Sequence, residues 1–212
     1  MTEPAASDDD VDRLLAHFDA LGLVLLAGAR GWTHMGAVLS DAALQRRTKY
    51  KQTVKPRILR RMAEWPDADT LSRFAVRIRT SDVGAVLRWR EGPKLTLLRE
   101  LVGALEGLEI ETVADLRARL TAPNSEAVAR LRDIRGVGPK TLDYIGILSG
   151  SEDNVAVDTH QRRFAAEAGV SATSYQALRD VVMAAARRRR WSPAAFEGTI
   201  WTYMSNGSPG TA

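Results

Sequence analysis

The chain has no cysteine among its 212 residues, which excludes disulfides and any metal or cluster held by thiolates. It also lacks the apolar–polar alternation of a half-buried strand, so no sheet is expected and the chain reads as all helix. The apolar run Leu23 to Ala27, between Gly22 and Gly28, falls far short of the roughly 20 residues needed to cross a bilayer. No membrane segment is expected. The N-terminus is acidic where a secretion signal would need a basic start, so a cytoplasmic protein, nucleoid-associated if bacterial, is the expectation. What is present is an ordinary soluble composition, 45% hydrophobic and 26% charged. The net charge is +4. Setting aside the four acids Glu3, Asp8, Asp9 and Asp10 leaves +8 on residues 11–212, a balance compatible with nucleic acid.

Helical periodicity runs through most of the chain. Residues 1–9 read as a frayed acidic tail, followed by an amphipathic helix with Val11, Leu14, Leu15 and Phe18 on one face. Leu23 to Ala27 is expected to be buried or to begin the next element, with Gly28 and Gly31 bracketing a turn. From Trp32 a helix carries Met35, Val38, Leu39 and Leu44. The segment 45–61 (QRRTKYKQTVKPRILRR) is a solvated face or a strip for phosphates, with Ile58, Leu59 and Met62 docking part of it. Asp67 or Asp69, Ser81-Asp82, Thr112, and Asn124 or Ser125 are placed as helix caps. Thr173 begins a long helix ending in Arg187–Arg190, cations that suit a helix C-terminus and would equally suit DNA. Pro193 starts the last helix, ahead of a Gly/Ser/Pro tail at 206–212. His34 reads as a surface or cap residue.

The stretch 131–164 (LRDIRGVGPKTLDYIGILSGSEDNVAVDTHQRRF) carries the chemistry. Gly136-Val137-Gly138 forms a turn between two helices, and Pro139 suits the first helical position because its missing N–H would be unpaired there anyway. Two glycines let the backbone approach a ligand, and amides converging on a helix N-terminus favour a phosphate. Such a turn serves equally as a plain connection. Lys140 follows at its mouth. A lysine amine forms a Schiff base only when it attacks in the neutral state, which burial or neighbouring cations favour. Eighteen residues on, Asp158 heads a helix with Gln161 three positions later, the pattern of a capping box. A carboxylate there is held ionised by the dipole, the state that would stabilise a developing sugar cation.

GVGPKT followed by VAVDTH closely resembles the helix-hairpin-helix–Gly/Pro/Asp superfamily of base-excision DNA glycosylases, endonuclease III-like enzymes in particular. The resemblance is strong over about 131–164 and weaker from Trp32 through the last helices. It implies that Lys140 is the Schiff-base lysine of a bifunctional glycosylase/AP lyase and Asp158 the essential carboxylate. Gly136, Val137, Gly138, Thr141 and Lys94 would grip the DNA backbone, and a monovalent cation at the hairpin stays open. Family members push a side chain into the duplex from the loop at 89–94, for which Trp89 and Arg90 are candidates. A glutamine shortly after a Leu-Ser pair fills the gap left by the flipped base. Here Asp41 and Ala42 follow Leu39-Ser40, and Gln45 is the substitute. Many relatives carry a four-cysteine iron–sulfur cluster that this chain cannot hold, and no other cofactor is implied.

The implied architecture is two helical lobes flanking a cleft. One is a central bundle at 31–152; the other combines 1–30 with 153–212. The implied partner is double-stranded DNA containing a damaged or modified base or an abasic site, engaged by a monomer. The alternatives are a monofunctional glycosylase, in which Lys140 only contacts phosphate, and a non-enzymatic hairpin module that binds DNA.

Overall fold

The computed structural model describes residues 6–27 and 30–206. Gly28 and the stretches 1–5 and 207–212, which include parts of the expected acidic and Gly/Ser/Pro tails, lie outside the described residues. Among the described residues every regular element is helical. In chain order they are α1 (Asp8–Ala20), α2 (Met35–Leu44), a π-helical turn (Tyr50–Val54), α3 (Lys55–Glu64), α4 (Leu71–Thr80), α5 (Val83–Leu87) and α6 (Pro93–Leu105). They continue with α7 (Val113–Thr121), α8 (Glu126–Asp133), α9 (Pro139–Leu148), α10 (Thr159–Glu167), α11 (Tyr175–Arg188) and α12 (Pro193–Ser205). Two compact units result: a terminal unit of 1–30 with 151–212, and an inserted unit of 31–150.

The terminal unit packs α1 on α11, and α12 on both α10 and α11. Val11, Leu14, Leu15 and Phe18 recur at helical spacing and are buried against Leu178, Val181, Val182 and Ala185. Phe18, Trp191 and Phe196 form an aromatic triangle with centroids 5.0–5.6 Å apart. Asp8 opens α1, and buried Asp10 accepts from the Ser171 amide (2.7 Å), the Ser171 hydroxyl (2.9 Å) and the Ala172 amide (3.2 Å). Burial pushes this carboxyl upward, but those bonds outweigh it and hold it below the usual range.

The run Leu23 to Ala27 departs from expectation. It is neither helix nor core: Val24 is 82% exposed and Leu26 43%. Only Leu23 and Leu25 touch the core, and the Leu26 amide donates to Thr199 Oγ1 (2.9 Å). Five residues without a cap or a helical repeat cannot nucleate a helix unaided.

In the inserted unit α2 is the axle. All ten of its residues are buried, and it packs against α3, α4, α6 and α9. The helix begins at Met35 rather than Trp32, with His34 at its N-cap position and buried rather than on the surface. Two further expectations are corrected here. Thr70, not Asp67 or Asp69, caps α4; the two aspartates instead pair with Arg77 and Arg73. Leu59 is exposed while Ile58 is fully buried, so one face of α3 docks and not both residues.

Arg61 gives the largest departure. Expected on a solvated or DNA-facing strip, it is fully buried. Its guanidinium stands over Phe74 (5.2 Å to the ring centroid), with Nη2 3.4 Å from His34 Nδ1. Among the described residues Nε and Nη1 find no partner. Gly36 makes the room, since a Cβ there would stand 2.6 Å from Arg61 Nη1 and 2.8 Å from Phe74. Burial lowers Arg61 to about 10, a penalty of roughly 3 kcal/mol for keeping the cation.

Candidate functional site

The inserted unit supplies the glycine turn. Buried Ala127 and Leu131 fix α8, whose cap Ser125 accepts from the Val128 amide. The chain leaves α8 at Asp133, takes a positive φ of 95° at Gly136 and enters α9 with Pro139 at the start. Val137 faces the core, and its amide is spent on the Ile134 carbonyl (3.0 Å). Thr141 and Leu142 both donate to the Gly138 carbonyl. Among the described residues the amides of Gly136, Gly138 and Lys140 donate to nothing. Of the three turn amides expected to face a phosphate, two are free and Val137 is not.

Lys140 occupies the second position of α9 and is half-buried, and its amine has no hydrogen bond or ion pair among the described residues. One turn along the same face, the Tyr144 hydroxyl donates to Asp41 Oδ1 (3.0 Å). Asp41 is fully buried in α2 and also accepts from Trp32 Nε1 (2.9 Å) and the Tyr50 hydroxyl (3.2 Å). This knot, which ties α9 and the π-helical turn to α2 behind Lys140, was missed in the sequence. Its signal was an aspartate inside the otherwise apolar MGAVLSDAAL. Ser40, Asp41 and Ala42 are all interior, whereas Gln45 follows α2 at its C-cap, half-buried.

The terminal unit supplies the acid. Asp158 caps α10: its Oδ1 accepts from the amides of His160 (2.7 Å) and Gln161 (3.2 Å), and Gln161 Oε1 accepts the Asp158 amide (3.3 Å). The second oxygen, Oδ2, has no partner among the described residues. Gln161 is itself braced. Its Nε2 donates to the Glu197 carbonyl (3.1 Å) and to Glu197 Oε1 (2.9 Å), and buried Glu197 pairs with Arg30. Gly198 leaves the space that Arg30 occupies. His160 lies edge-on to Trp201, 6.0 Å between centroids.

The loop candidates are also placed. Trp89 is half-buried against the core of the inserted unit, with Arg57 and Lys94 each 4.6 Å from its ring centroid. Arg90 is exposed and unpaired among the described residues. Lys94 donates to the Leu44 carbonyl (2.6 Å) and to Thr48 Oγ1. Burial, then the charges of Arg46 and Arg57, hold its amine below the usual lysine range. The run Arg187–Arg190 has a different occupation: Arg188 bridges Asp8 and Asp12, and Arg189 pairs with Asp19. Two surface depressions, of about 460 Å³ beside Arg79 and Arg99 and about 670 Å³ beside Arg179 and Arg188, include neither Lys140 nor Asp158. Neither groove is lined by groups suited to the chemistry expected of those two residues.

The fold and these groups define an all-helical protein with a glycine turn, an unpaired lysine and a half-engaged capping aspartate. The chain belongs to the family of a domain of unknown function (DUF8548), whose model matches residues 44–205. No curated protein and no solved structure matches it.

Proposed function

We propose that the chain is a DNA glycosylase with AP-lyase activity, acting on duplex DNA that contains a damaged or modified base. The α8–α9 turn holds a backbone phosphate through the free amides of Gly136, Gly138 and Lys140, a grip on the strand and not on its sequence. Extruding the target base costs a few kcal/mol, least at damaged pairs, which supplies part of the selectivity. Arg90 is the better placed wedge, because two cations already cover the Trp89 ring.

Neutral Lys140 attacks the anomeric carbon as the C–N bond to the base breaks, the electron pair leaving with the base, which takes up a proton. The resulting carbinolamine-type adduct opens to an iminium. Loss of a proton from the adjacent sugar carbon then expels the 3′-phosphate and nicks the strand. Asp158 Oδ2 stabilises the positive charge that builds on the sugar. The observation that carries this reading is that both reacting groups are unspent among the described residues: the Lys140 amine has no partner, and Asp158 uses only Oδ1 for its cap.

Borohydride trapping on a duplex with an abasic site tests the reading. A covalent adduct is expected from the wild type and none from Lys140→Gln, while Asp158→Asn slows base release and keeps binding. A wild type that binds this duplex yet gives no adduct overturns the lyase; base release without an adduct would assign the monofunctional alternative.

A further inference from the structure

Three cations of the inserted unit gather where no carboxylate answers them. Lys94 is the hub, pinned by the Leu44 carbonyl and Thr48 and resting on the Trp89 ring. Arg57 rests on the same ring. Arg46 bears on Lys94 electrostatically, and its Nη1 lies 3.6 Å from where a Cβ on Gly136 would stand, against the free-amide turn. Neither Arg46 nor Arg57 has an ion-pair or hydrogen-bond partner for its side chain among the described residues. This is not for want of acids. Arg73, Arg77, Arg79, Arg119 and Arg130 of the same unit each hold one, and Glu91, the only acid of the 89–94 loop, is drawn off by both terminal nitrogens of Arg99 (2.7 and 2.9 Å).

Like charges held this close repel one another; the Trp89 ring under two of them offsets part of that repulsion, and an anion joining all three would offset the rest. We propose that Arg57 and Lys94, mounted on Trp89, form with neighbouring Arg46 a phosphate site separate from the glycine turn and continuous with it through Arg46. The ligand is one phosphate of a nucleic-acid strand. Trp89 is then a positioning residue that sets the cations rather than a group inserted into the duplex. The site rests on the nucleic-acid part of the function proposed above and needs neither Lys140 chemistry nor base release.

The test is the salt dependence of duplex binding by the full chain. Neutralising one phosphate contact flattens the slope of log K against log salt by about 0.9. Arg46→Gln with Arg57→Gln leaves Lys94 anchored and is expected to flatten the slope by about that amount, with affinity falling about tenfold or more at low salt. An unchanged slope overturns the site, and a flattening near twice that value overturns its being a single phosphate. Trp89→Leu should reproduce the loss and Trp89→Phe should restore most of it; equal behaviour of the two overturns the platform. Inorganic phosphate separates the sources: protection from thermal unfolding at millimolar phosphate, with duplex binding unaffected by the double substitution, would assign a free anion and overturn the strand. Borohydride trapping reads the enzyme independently, so either proposal can fail alone.

Discussion

Two arginine-rich stretches, 46–61 and 187–190, look alike in sequence and end in different surroundings. Arg188 and Arg189 are neutralised by Asp8, Asp12 and Asp19 and pin α11 to α1. Among the described residues, Arg46 and Arg57 sit beside Lys94 with no acid, and Arg61, a few residues on, is buried whole with two of its donors unpaired. The density of positive charge is therefore a poor guide to its use. What separates a structural arginine from an available one is whether a carboxylate from a distant helix arrives, and that is decided by packing.

Arg61 offers the largest effect. If its charge is an uncompensated load, Arg61→Met should raise stability by about 1–4 kcal/mol in chemical denaturation, keeping the packing on Phe74 without the desolvated cation. A loss of more than about 1 kcal/mol would mean that the guanidinium contacts with His34 and Phe74 outweigh burial. His34 sharpens the same point through pH. Burial first, and the Arg61 charge second, hold His34 below its usual value. The unfolded chain then takes up a proton near pH 6.5 that the folded chain refuses, so stability is full above about 6.5 and falls as pH drops below it, down to the folded value. Denaturation curves at about pH 7.5 and 5.5 should show this loss in the wild type and a smaller one in His34→Gln; identical losses would remove His34 from the account. The smallest effect lies in the paired run. Arg188→Gln with Arg189→Gln should cost at most about 1 kcal/mol, since partly exposed pairs are worth little, and should leave the salt slope of duplex binding untouched. A slope change there, and none at Arg46 and Arg57, would reverse the comparison.

Much of the helical frame was legible, and the reason is local. The Thr112 cap, the Asp158–Gln161 box, the cap at Asn124 or Ser125 (Ser125 in the structure) and the prolines opening α9 and α12 are decided within four residues of chain, and the buried face of α1 follows from its spacing alone. Lys140 and Asp158 could be placed at helix starts for the same reason. The supports behind them could not. Asp41 collects donors from positions 32, 50 and 144, and Gln161 leans on Glu197; no short-range pattern announces such partners. Leu23 to Ala27 failed in the opposite direction, because an apolar run says nothing about whether a neighbour is there to cover it.

The inserted unit closes on itself where it begins. The Trp32 amide donates to the Leu148 carbonyl (2.9 Å), and Gly31, at a φ of 127°, lies where a Cβ would stand 2.6 Å from that same oxygen. Entry and exit of residues 31–150 are thus clasped side by side, at a point where any larger residue would force them open. Once that clasp is made, α1 and α10–α12 are joined by a short tether instead of a long loop, and most of the entropy of bringing them together has already been lost. Closing residues 31–150 on themselves thus shortens the loop that separates the first helix from its partners.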